Sequence, residues 1–479
     1  MLRLLLSFSI FNSVIGSPTC SWRTEPVILT YSQNCTIDEN DASGIFSTGI
    51  LLSLSDQDMC FTPSTVTNNT IAIGKDVCAS DENLSLAQCA SLHGRLFDID
   101  SAKEKKEYTE EALSELAPDP GWETVMNPYK AFSAAGSATL RLPGAAVTMT
   151  IAVQNEGVNF TGHHLGLGPE APIFSALDAQ DVISARVFGL NVGQRSSSSG
   201  QPSQGNLIIG GIDNQRTAGS MYEFDMTEYS VNLNDRVCPL QVEMVGMTLQ
   251  IPGEEDETLI SESQPAQACL EGYDGKIRLP PIPLDTFQRL TGYYASDIEL
   301  DQSNFALVEP GLLYNGPKFA GSLTVTLKGG LEVKIPNSEL CQPARALDRD
   351  GQYVSLGNIS EVNIYNRSAP LNAAVLGRAF LSQIYLAVNY DKKKFRLYTG
   401  VPNVDADPIP GFWDTSSCSG LTAAEKGEIG LGVVLFVLLV AVMVMGWLFW
   451  KKGRHIVRTN ENGNVLEEHR AGIGEDLLL

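Results

Sequence analysis

The residues of this chain that could carry chemistry are mostly carboxylates. Asp and Glu number 56 against 33 Lys and Arg, giving a formal charge of -23, with only five His and nine Cys. Carboxylates serve as general acids and bases when neighbours tune their pKa. The adjacent His163 and His164 have no Cys, Asp or Glu at ligand spacing, so the pair reads as packed or solvated rather than as a metal site. No C-x-x-C spacing, G-x-S-x-G elbow, P-loop or H-E-x-x-H helix occurs, and the sequence calls for no metal and no cofactor. Basic runs are short, as at Lys392 to Lys394 and at Lys451, Lys452 and Arg454, in a chain of charge -23, which argues against nucleic-acid binding by phosphate neutralisation.

The elements that must position this chemistry follow from the ends of the chain inward. Residues 1–16 hold Arg3 followed by an apolar stretch from Leu4 to Ile15, the pattern of a secretory signal peptide. Residues 429–450 carry no charge, end in Trp447 and Trp450, and are followed by Lys451, Lys452 and Arg454. Their length matches a bilayer core, and the basic flank places the C-terminal side in the cytosol. The expectation is a single-pass type I membrane protein of the cell surface or the secretory or vacuolar membrane. It would have a lumenal or extracellular portion, a stalk over 406–428 and a cytosolic tail over 451–479. The tail has five basic and five acidic residues, so essentially all of the negative charge belongs to the ectodomain.

All nine cysteines (20, 35, 60, 78, 89, 238, 269, 341 and 418) precede the apolar segment, as expected where disulfides form. Cys78 and Cys89 flank a polar loop and are the favoured pair. The rest of the connectivity stays open, and the odd count leaves one thiol over, available to link two copies. Sequons begin at Asn34, Asn68, Asn83, Asn159, Asn358 and Asn366, all on the same side of the span, as in a glycosylated ectodomain.

Helical periodicity is confined to Ser101–Leu116 and a shorter stretch, Phe174–Ser184. Elsewhere short apolar runs broken by Gly, Pro, Asn and Asp predict strands, among them 146–153, 206–209 and 322–327. The Ser-rich segment 194–204 reads as a flexible loop. Nearly 400 residues are too many for one sheet-based core, so a mostly β ectodomain of two lobes is expected.

Several of these segments, in order, resemble the pepsin-like aspartic peptidase family, most closely its fungal, membrane-anchored members. Val375-Leu376-Gly377-Arg378-Ala379-Phe380-Leu381, then Ile384 to Asp391 and Phe395-Arg396-Leu397, are similar to the family's I-L-G-D-x-F-L block, with Arg378 in place of the usual Asp. Leu165-Gly166-Leu167-Gly168 resembles an earlier I-L-G-L-G element and Phe174–Val192 the helix and strand after it. Asn206–Asp213 with Gly219-Ser220 resembles a central G-G-x-D element. The resemblance runs from about residue 45 to 400. It implies a bilobal acid-protease fold with lobes at 17–228 and 229–405, and a cleft between them for an extended peptide or glycan.

The family's chemistry needs two carboxylates about 3 Å apart sharing one proton, one from each lobe in a D-T-G-type loop. Counting from Gln57 forward and from Ile71 back both lead to Ser64 at the first position, with Thr65 beside it and Val66 where the family has Gly. In the second lobe the segment Ala268 to Gly275 before Leu279-Pro280 puts Glu271 at the aspartate, Gly272 at the Thr or Ser and Tyr273 at the Gly; Asp274 follows. A serine cannot act as a base near pH 4 to 7, so the resemblance implies a pseudoenzyme whose Ser64 and Glu271 do not form a dyad and whose loops (Thr65, Gly272, Tyr273, Asp274) line a binding cleft. The alternative is an active aspartic-type endopeptidase working at acidic pH with carboxylates from Asp56, Asp58 or Asp274, although no D-[ST]-G triplet occurs in the ectodomain. A glycan on Asn68 would crowd the cleft, and Tyr129 is the candidate for the family's flap tyrosine.

Overall fold

The computed structural model describes residues 24–32, 35, 49–79, 84–103, 108–117, 132–154, 162–195, 203–227, 238–293, 305–307, 311–315, 319–365, 373–399, 406–411 and 442–448. Residues 21–413 form one compact unit. It is mostly β.

The first half of the unit closes a barrel from the strands Ile50–Leu54, Gln57–Ser64, His163–Gly166, Ile71–Ile73, Ala145–Gln154 and Phe132–Leu142, in that order. Alternate residues of Ile50–Leu54 (Ile50, Leu52, Leu54) are buried, the period of two that fills a barrel interior. Phe132–Leu142 and Ala145–Gln154 make a hairpin across Pro143-Gly144, where proline presets the first turn position and Gly144 takes the positive φ of 77° that the second needs. The second half builds a larger sheet that includes Gln241–Gln250, Ala266–Leu270, Ser322–Leu327 and Ala373–Leu376. A six-stranded sheet joins the two: Val27–Thr30, Asn206–Ile209, Val187–Asn191, Ile384–Asn389, Lys394–Thr399 and Met221–Asp225. Here the C-terminal strands pair directly with the first half, Ala387 opposite Gly189, and one buried apolar cluster runs from Val27 to Leu397. Each fully buried Leu, Ile or Phe of that cluster contributes roughly 1.5–3 kcal/mol.

The strands expected at 146–153, 206–209 and 322–327 are present. The stretch Ser101–Leu116 is not one helix. Among its described residues, 3-10 turns at Ile99–Ser101 and Glu111–Glu115 flank an extended Ala102. Asp98 caps the first turn, accepting from Asp100 N and Ser101 Oγ, and Thr109 exchanges two backbone hydrogen bonds with Ala135. Sheet pairing thus overrides a helical pattern. The second helical stretch is the helix Pro172–Asp178, ending in a turn where Asp181 has a φ of 55°. The helix Pro281–Thr291 was not expected; it starts on a proline, which loses nothing at a helix start, and stops at Gly292 in the left-handed conformation.

Among the described residues no helix is long and apolar enough to cross a membrane. Residues 442–448 are helical; the rest of 429–450, the expected signal peptide and the tail lie outside the described residues.

Candidate functional site

Two loops with the same threading meet at the centre of the unit. In the first, Gln57–Ser64 runs parallel to His163–Gly166 with Ser64 opposite Gly166; the chain loops out and returns so that Ile71, seven residues on, lies antiparallel to His164. In the second, Ala266–Leu270 runs parallel to Ala373–Leu376 with Leu270 opposite Leu376, and Arg278, seven residues after Glu271, lies antiparallel to Val375. Ser64 and Glu271 therefore occupy equivalent places. Each loop is also anchored to the segment that follows its neighbouring strand: Gly168 N donates to Thr67 O at 2.7 Å, and Arg378 N donates to Asp274 O at 2.8 Å. The Cys238–Cys269 disulfide ties the second loop's incoming strand two residues before Glu271.

The loops touch. Ser64 Oγ donates to Glu271 Oε2 at 3.1 Å, and Thr65 N donates to Glu271 Oε1 at 3.1 Å. Thr65 Oγ1 donates to Leu270 O at 2.7 Å. Within its own loop Glu271 Oε1 also accepts from Tyr273 N at 2.8 Å, and Ser64 Oγ accepts from Thr67 N at 3.2 Å. The contact between lobes is one-sided, because Gly272, equivalent to Thr65, has no hydroxyl to return. A Cβ on Gly272 would lie 2.7 Å from Pro63 O, so the backbones approach more closely than any other residue would permit.

Ser64, Thr65 and Glu271 are all buried. Burial pushes the Glu271 carboxyl up to about 7, with the charge of Asp274 adding to the rise; the hydrogen bonds from Tyr273 N, Thr65 N and the Ser64 hydroxyl oppose it. Below that pH Glu271 is a neutral acid, and above it a carboxylate with a hydroxyl and two amides as partners. The pair can pass one proton, but it has no second carboxylate to share it.

Of the other candidate carboxylates, two are paired with basic side chains. Asp274 is buried on its own lobe, its Oδ2 paired with Arg278 Nε and its Oδ1 accepting from Lys276 N at 3.1 Å. Exposed Asp56 pairs with Arg141 at 2.8 Å and with Lys103, and Asp58 is exposed. Arg378 has its guanidinium buried, with Nη2 donating to Val192 O at 3.3 Å and the group lying over the Tyr31 ring at 5.0 Å.

The histidine pair is packed. His163 Nδ1 accepts from Ile73 N at 3.0 Å while Nε2 faces Arg95 O at 3.1 Å, which makes Nε2 the protonated nitrogen. His164 lies against the Tyr273 ring of the other lobe, centroids 3.6 Å apart and planes tilted at 34°. Burial holds both imidazoles down at about 3, so each is neutral at physiological pH. Among the described residues no group of three or more His, Cys, Asp or Glu is placed to hold a metal. The 3.6 Å contact joins residues 109 positions apart, and nothing in the sequence marks it.

Cys78 and Cys89 are bonded, as are Cys35–Cys60 and Cys238–Cys269. Cys341 is buried, with its Sγ 3.5 Å from the Tyr293 hydroxyl, and so presents no thiol to a second copy; Cys20 and Cys418 lie outside the described residues. One sequon is corrected by its position. Asn68 is buried inside the first loop and its Oδ1 accepts from Glu170 N at 2.9 Å, so the folded loop has no room for a glycan there. Asn358 is exposed, whereas Asn34, Asn83, Asn159, Asn366 and Tyr129 lie outside the described residues.

Two β-rich halves joined by a shared sheet, each offering one such loop to a common centre, define the class of pepsin-like acid proteases. The family model for eukaryotic aspartyl protease matches residues 146–399, more than half of the chain, and the chain belongs to that family. The match takes in Glu271 and begins downstream of Ser64. No curated protein matches the chain.

Proposed function

We propose that the chain is a non-hydrolytic member of its family, a membrane-anchored surface protein whose interlobe cleft holds extended peptides, or glycans, without cutting them. The observation that carries this reading is the central pair. Ser64 Oγ faces Glu271 Oε2 at 3.1 Å, and every other hydrogen bond of the Glu271 carboxyl comes from a backbone amide. A two-carboxylate mechanism requires a like-charged partner there, which both splits the pKa values of the pair and keeps one member ionised. Apolar segments at 1–16 and 429–450 support a type I orientation at the cell surface or a secretory or vacuolar membrane.

Immobilised full-length protein incubated with a mixed peptide library between pH 4 and 7 tests the reading. The account expects retained peptides to be recovered at unaltered mass. Recovery of shortened peptides, or retention no greater than on a blank support, would overturn it.

A further inference from the structure

Tyr273 belongs to the second lobe, yet its ring is housed in the first. It rests on His164 and packs against Ile73, Val77 and the Cys78–Cys89 disulfide, with Leu84 and Leu96 alongside. These wall residues come from the strands Ile71–Ile73 and His163–Gly166, the turn Lys75–Ala79 and the helix Leu86–Leu92, so the pocket is complete without the residue that fills it. Ile73, Val77, Cys78, Cys89 and His164 are buried, while Tyr273 is half-buried, so the filled pocket opens to the surface. Apolar walls and one neutral imidazole face suit a flat aromatic group, which gains both burial and ring contact. The pocket adjoins the central pair, since Tyr273 N donates to Glu271 Oε1 at 2.8 Å.

We propose that this is a binding pocket for the aromatic side chain of an extended peptide, and that the chain occupies it with its own Tyr273. A peptide Phe, Tyr or Trp enters only by displacing that ring, so self-occupation weakens binding of aromatic peptides and leaves other peptides unaffected. The peptide part rests on the cleft-binding reading; the pocket itself is tested without a peptide.

Tyr273→Ala in the full-length chain removes the ring, and p-cresol, the free form of the lost side chain, is the probe. At p-cresol about tenfold above its dissociation constant, the alanine variant is expected to unfold about 2 °C higher than without it, while wild type and Tyr273→Phe do not shift. No shift in a folded alanine variant, or an equal shift in all three proteins, would overturn the proposal. If the alanine variant does not fold, Tyr273→Cys offers a covalent version, helped by the burial of Cys341. Its benzyl methanethiosulfonate adduct, which restores a ring, is expected to unfold at least about 2 °C above its methyl adduct, and equal midpoints would contradict the pocket. Failure of either shift leaves the cleft-binding reading standing, whereas shortened peptides would remove that reading and leave the pocket.

Discussion

Replacing Glu271 by glutamine should make the protein more stable, by an amount that grows from nothing below pH 4.5 to its full size at about pH 7. The carboxyl is buried and raised from the ordinary 4.5 to about 7. Below pH 4.5 the folded and unfolded chains both hold its proton. Between 4.5 and about 7 the unfolded chain releases the proton while the folded chain keeps it, so stability falls as pH rises. Above about 7 both are ionised and the whole cost is present. At 1.36 kcal/mol per pH unit this window amounts to about 3 kcal/mol. Glu271→Gln stays neutral throughout, and its carboxamide oxygen can still accept from Thr65 N and Tyr273 N. The compact unit of roughly 390 residues unfolds with an entropy of about 0.8 kcal/mol/K, so the variant should melt about 4 °C above wild type at pH 8 and close to it at pH 4. Thermal unfolding of both proteins from pH 4 to 8.5 reads this directly. A difference that does not vary with pH, or a variant less stable than wild type at pH 8, would refute the assignment of Glu271 as a buried lone acid.

Three further changes probe how the loops are held. Thr65→Val leaves Leu270 O without its 2.7 Å donor and should cost about 1–3 kcal/mol in denaturant unfolding. Gly272→Ala drives a Cβ to 2.7 Å from Pro63 O, and should cost about 1–3 kcal/mol by pushing the loops apart, again read by denaturant unfolding. Joint replacement of Cys238 and Cys269 by alanine opens a loop of 31 residues and should cost about 4 kcal/mol, with the thermal midpoint falling accordingly.

The sequence reaches the site because local rules act there. Gln57 and Ile71 bracket a short loop at a fixed count, so Ser64 could be placed from its neighbours, and Leu376-Gly377 marks the strand beside Leu270. Strands such as 206–209 and 322–327 were legible from apolar runs bounded by turn residues. What was not legible depends on long-range contact. Ser101–Leu116 carries a helical pattern, but Thr109 is claimed by the Ala135 edge. Asn68 reads as a sequon and is withdrawn into the protein by Glu170, a hundred residues away. The Cys35–Cys60 and Cys238–Cys269 pairings, and the insertion of Tyr273 against His164, depend on how the two lobes close, which no local pattern records.

One carboxyl facing a serine should leave peptide bonds uncut. The most direct test follows cleavage of a denatured protein by the full-length chain from pH 3 to 6, with Glu271→Gln as control. The account predicts no products at any pH and no difference between the two proteins. Turnover that pepstatin blocks and Glu271→Gln abolishes would contradict it.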